Sequence, residues 1–115
     1  MENVFMALNV KNRLKKKRDF ENVFKKGKAV NGSFLFIKHR TNELGIPRFG
    51  FVISAKIAKK SVERNKIRRI ISETARSRIK NLEGHDIIVF ATKKTIIVDK
   101  KDLIDDFLEV LKKIK

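Results

Sequence analysis

Residues 59–78 read KKSVERNKIRRIISETARSR, a stretch with eight Lys or Arg side chains against two Glu. The chemistry open to such a set is the gripping of anions. Arg64, Arg68, Arg69 and Arg76 carry planar guanidinium forks, which bind phosphates bidentately and stack on bases. Asn65 among them can donate to and accept from a backbone or a base edge. A solvated cationic face is the ordinary state of a surface helix, but Glu63 and Glu73 cannot pair with so many cations.

Catalysis by side chains finds little support. His39 and His85 stand isolated, and no HExxH, paired-carboxylate frame or Gly-rich phosphate loop occurs. Asp102, Asp105, Asp106 and Glu109 are spaced as a helix surface, expected to be solvated and balanced by nearby lysines. No metal site made by this chain alone is expected.

The elements that must position the cations follow from periodicity. Residues 61–82 form the long helix, with Gly84 just past its end. At 100° per residue, Ile67, Ile70, Ile71, Ala75 and Leu82 share one arc with Thr74, whereas Asn65, Arg68, Arg69, Ser72, Arg76 and Lys80 share the other. Residues 33–38 (SFLFIK) and 48–54 (RFGFVIS) read as an antiparallel strand pair across the turn chemistry of residues 41–47. Residues 86–91 (DIIVFA) read as an interior strand. Asp19 caps a short helix with Phe20, Val23 and Phe24 on one face and Gly27 as its stop. Asp99 caps a final helix burying Leu103, Phe107, Val110, Leu111 and Ile114. Residues 1–18 show no period and end in KNRLKKKR, so they read as a mobile basic arm before one domain at 19–115.

Composition agrees with one small folded domain. The 115 residues are 42% hydrophobic, include nine Phe and contain no Cys, which excludes disulfides and thiolate chemistry and fits a reducing, cytoplasmic compartment. No apolar run is long enough to span a bilayer. The formal net charge of +16 makes a polyanion the economical partner, nucleic acid before an anionic membrane. Most of the nine rings must be core, with one or two free to line a groove and stack unpaired bases.

Residues 64–76 (RNKIRRIISETAR), preceded by residues 49–60 (FGFVISAKIAKK), resemble the protein subunit of bacterial ribonuclease P, whose hallmark is an Arg-Asn-x-x-basic-Arg helix. LKKKRDFENVFKKGKAV resembles the family's opening helix, and GHDIIVFA its strand after the long helix. The resemblance implies a single compact α+β domain: an N-terminal helix on a central, mostly antiparallel sheet, the basic helix in a left-handed βαβ crossover, and a C-terminal helix. It implies an accessory subunit of an endoribonuclease, in which an RNA with Mg ions removes the 5′ leader of precursor tRNA. The protein would bind ribonuclease P RNA and precursor tRNA, supply no catalytic side chain, and need neither a membrane nor an obligate protein partner.

Carried over by motif, Arg64, Asn65, Lys66, Arg68, Arg69 and Arg76 should face the catalytic RNA. Phe20, Phe24, Leu35, Ile37, Ser54 and Lys56 match positions of a cleft for the single-stranded leader. Ser72 and Ile37 stand where the family often has a basic residue and a Tyr. A general RNA- or ribosome-associated basic protein and a stand-alone nuclease are the rival readings.

Overall fold

The computed structural model describes residues 8–54, 56 and 59–114. Four strands, β1 (Lys28–Asn31), β2 (Leu35–Thr41), β3 (Arg48–Val52) and β4 (His85–Ala91), form one sheet in the order β1-β2-β4-β3. The pairs β1–β2 and β2–β4 are antiparallel and β3–β4 is parallel, so β4 lies between β2 and β3 and the expected direct pairing of residues 33–38 with 48–54 does not form. Helix α1 (Lys17–Lys26) precedes the sheet, and α2 (Ser61–Arg76) carries the chain between the two parallel neighbours. A short α3 (Lys94–Ile97) and then α4 (Lys100–Lys112) follow β4. The fold is a single α+β domain with a mixed sheet, and no helix among the described residues is long and apolar enough to cross a membrane.

The sheet is covered on both faces, so its strands are apolar on both. Leu35, Ile37, Phe49, Ile53, Ile87, Val89 and Ala91 meet Ile67, Ile70, Ile71 and Ala75 of α2 and Leu103, Phe107, Val110 and Leu111 of α4. On the other face Ile88 packs with Val23 of α1 and with Leu14, flanked by Phe20, Val52 and Phe90. The period-2 alternation of β-strands divides these two sets.

Several expectations need correction. Residues 8–16 are not a free arm: Leu8 and Leu14 are buried, the Leu14 amide donates to the Phe49 carbonyl at 2.8 Å, and Asn12 Nδ2 donates to the Pro47 carbonyl at 2.8 Å. This segment lies along the outer edge of β3 through the Arg13–Phe49 bridge, so it shields an edge strand. Residues 1–7 of the expected arm lie outside the described residues. The first helix begins at Lys17, and Asp19 sits in its first turn with no capping hydrogen bond; its carboxylate instead accepts from Arg48 Nη1 at 3.2 Å. The long helix stops at Arg76, and a 3-10 turn, Ile79–Leu82, carries the chain to Gly84 at φ 77°. β1 and α3, too short and polar to show a period, are additions.

Two side chains expected in solvent are engaged. Asp106 of α4 turns inward and accepts from the backbone amides of Ser33, Phe34 and Leu35 at 2.7, 2.9 and 3.2 Å, tying down the β1–β2 turn. Ser72 is 0% exposed, because the covered arc of α2 is wider than its isoleucine stripe.

Candidate nucleic-acid interface

Strand register arranges the α1 face of the sheet in three ranks. Asn31, Phe36, Phe90 and Val52 form the first, with Phe36 opposite Phe90 and Phe90 beside Val52. Ala29, Lys38, Ile88 and Gly50 form the second, and Arg40, Asp86 and Arg48 the third. α1 lies over the second rank, where the Phe20 ring covers Gly50 so closely that a β-carbon there would meet its Cζ at 2.5 Å. The third rank is locked: Arg48 donates to both Asp86 oxygens at 2.8 and 2.7 Å, Asn42 donates to the same carboxylate, and Asp19 ties the group to α1. The Asp86 hydrogen bond, chiefly, holds the Arg48 guanidinium above its usual pKa.

The first rank stays partly open as an aromatic shelf. Phe36 and Phe90 stack at 4.6 Å with planes 3° apart, and Phe24 meets Phe90 edge-on at 5.4 Å. Phe24 is 42% exposed at the margin of this shelf. Lys38 Nζ stands 5.5 Å from the Phe24 centroid and reaches its carbonyl at 3.4 Å. Flat π faces beside a cation suit unpaired bases and their phosphates.

The second feature is the outer arc of α2. Asn65, Lys66, Arg69 and Arg76 are exposed there, and among the described residues Lys66, Arg69 and Arg76 enter no ion pair. Arg64 donates from Nη1 to the Lys59 carbonyl at 3.0 Å, bracing the first turn. Arg68 is half-buried; its Nε is sealed from water with no hydrogen-bond partner among the described residues. Burial, and then the nearby Arg64 charge, depress the Arg68 pKa from its usual value.

A family model described as Ribonuclease P matches residues 8–115. The chain belongs to the ribonuclease P family. The ribonuclease P protein component of Stutzerimonas stutzeri is 39% identical over 103 residues, spanning 89% of this chain and 79% of that one. That of Aromatoleum aromaticum is 36% identical over 84% of this chain and 87% of its own. Among solved structures, the ribonuclease P protein of Thermotoga maritima superposes with a TM-score of 0.82 at 32% identity, covering 90% of this chain and all of that one. The Staphylococcus aureus protein gives 0.82 at 30% identity, covering 88% and 93%. Membership makes this chain a protein component of ribonuclease P, a subunit of tRNA 5′ maturation that associates with ribonuclease P RNA.

Against the residues carried over from the ribonuclease P resemblance, the structure divides the cleft set. Phe20 and Phe24 flank the shelf, and Ser54 and Lys56 are exposed where the chain leaves β3 toward α2. Leu35 and Ile37 are corrected: at 1% and 0% exposure they lie beneath α2 and α4, on the face opposite α1. Alternation shows why, since a one-residue change of parity moves a side chain through the sheet. Phe36 and Lys38, of even parity, hold the open face beside α1, and Ile37 lies in the core. Phe36 and Phe90 are the aromatic residues that sequence reasoning missed. The signal available was the pairing of SFLFIK with DIIVFA, which brings those rings opposite one another.

Proposed function

We propose that this protein holds two RNA elements at once in the ribonuclease P holoenzyme: the catalytic RNA on the α2 arc and the 5′ leader of precursor tRNA on the aromatic shelf. The observation that carries this reading is the pairing of a partly open Phe24–Phe36–Phe90 shelf with an exposed cationic arc on α2, where Lys66, Arg69 and Arg76 enter no ion pair among the described residues. Arg64, Asn65, Lys66, Arg68, Arg69 and Arg76 supply the RNA contacts. Phe24, Phe36 and Phe90 supply stacking, Phe20 positions α1, and Lys38, Ser54 and Lys56 meet the strand backbone.

In this reading the RNA is the catalyst and holds the Mg ions, and the protein contributes affinity and no reacting group. The reaction takes place in the cytoplasm, with no obligate protein partner.

Reconstitution tests the reading. Purified protein added to ribonuclease P RNA at low magnesium is expected to restore leader removal. Stimulation no greater than that by an unrelated basic protein would favour general RNA binding, and cleavage without the RNA would make the protein itself the nuclease.

A further inference from the structure

At the third-rank end of the sheet, the end of α1, the starts of β1 and β4 and the end of β2 enclose an open hollow of about 290 Å³ lined by Lys26, Lys28, His39, Arg40, Thr41 and His85. Register fixes the arrangement, with Lys28 opposite His39 and Thr41 opposite His85. The two imidazoles, called isolated by sequence, stand 6.0 Å apart between ring centroids. Among the described residues no carboxylate lines the hollow, and neighbouring Asp86 is already engaged by Arg48 and Asn42. Glu83, just before β4, is exposed, and its carbonyl oxygen lies 3.3 Å from His85 Nδ1.

Three fixed cations and two imidazoles around one space repel each other, and an anion at the centre offsets that repulsion. Two imidazoles could ligate a metal, but three permanent positive charges oppose a cation there. Threonine adds a hydroxyl donor. We propose that this hollow is a phosphate site, in which Lys26, Lys28 and Arg40 supply fixed charge and His39 and His85 supply donors.

The same chemistry fits free phosphate or a phosphodiester of a bound strand. Arg40 also lines the adjoining hollow at the start of α1, where Lys16, Arg18 and Asn22 stand beside Asp19, Glu43 and the Arg48-bound Asp86, so a strand running along α1 would meet both hollows in turn. That second source rests on the RNA-binding reading above; the site itself does not. Burial, then His85 and Lys28, keep His39 below the ordinary imidazole pKa. A bound phosphate opposes the two repulsions and pulls the proton back on.

Imidazole NMR titration of the intact protein between pH 8 and pH 5 tests this, at constant ionic strength in chloride. One arm adds inorganic phosphate and the other a five-nucleotide single-stranded RNA. The His39 midpoint is expected to rise by about half a unit or more, which corresponds to about threefold tighter binding to the protonated form. Lys28→Ala combined with Arg40→Ala should abolish the rise while the spectrum stays dispersed. A rise in both arms supports a strand phosphate, and a rise with inorganic phosphate alone supports a free-phosphate site. No rise in either arm overturns the proposal, whatever the reconstitution gives.

Discussion

The ring of Phe20 rests on the bare backbone of Gly50, with no room for even a methyl group between helix and strand. Gly50→Ala must therefore lift α1 or turn the ring, and is expected to cost about 1–3 kcal/mol of stability. Urea unfolding measures it; an unchanged midpoint would mean the ring swings aside freely.

The stacked pair Phe36–Phe90 should act on ligand more than on folding. Phe36→Ala is expected to weaken binding of precursor tRNA with a long leader by about 1–3 kcal/mol while leaving mature tRNA little changed. Phe20→Ala should mainly lower stability, since that ring is an anchor. Equal losses for both RNAs in the Phe36 variant would remove the shelf from the leader's path.

Arg68→Ala with Arg69→Ala should weaken binding to ribonuclease P RNA and flatten the dependence of log K on log salt by about 1–2 units, as fewer counterions are released. A salt titration of affinity reads this directly. An unaltered slope would show that neither guanidinium reaches a phosphate.

Asp106 holds three backbone amides at the β1–β2 turn. Asp106→Ala leaves them unpaired, at an expected cost of about 2–3 kcal/mol. Hydrogen exchange at Ser33, Phe34 and Leu35 should accelerate in step, whereas protection equal to the parent's would mean that solvent or another group takes over.

His39 gives the stability a pH dependence of known sign. Its folded pKa lies below the ordinary 6.5, so in the window beneath that value the unfolded chain binds the proton more tightly. Stability is expected to rise with pH through this window and to level off above about 6.5 in phosphate-free buffer. His39→Gln should flatten that part of the profile; an identical slope in the variant would assign it to other groups.

Helices with a strong apolar period were legible in the sequence: the α2 stripe of Ile67, Ile70 and Ile71 and the α4 set of Leu103, Phe107, Val110 and Leu111 are buried as their spacing implies. The cationic arc followed from the same period. What periodicity could not supply was parity. A strand buried on both faces shows no alternation of polarity, so nothing local to SFLFIK says which side is α1's. The packing of residues 8–16 and the inward turn of Asp106 depend on partners dozens of residues away, where local pattern is silent. The histidine hollow escaped for the same reason, since His39 and His85 meet only through strand pairing.

α1 and α2 press on opposite sides of a single sheet. Whatever docks on one helix is separated from whatever threads beside the other by a solid wall of packed side chains. Two ligands held in this way share no side chain and do not jostle, so each grip can strengthen or weaken without retuning its counterpart.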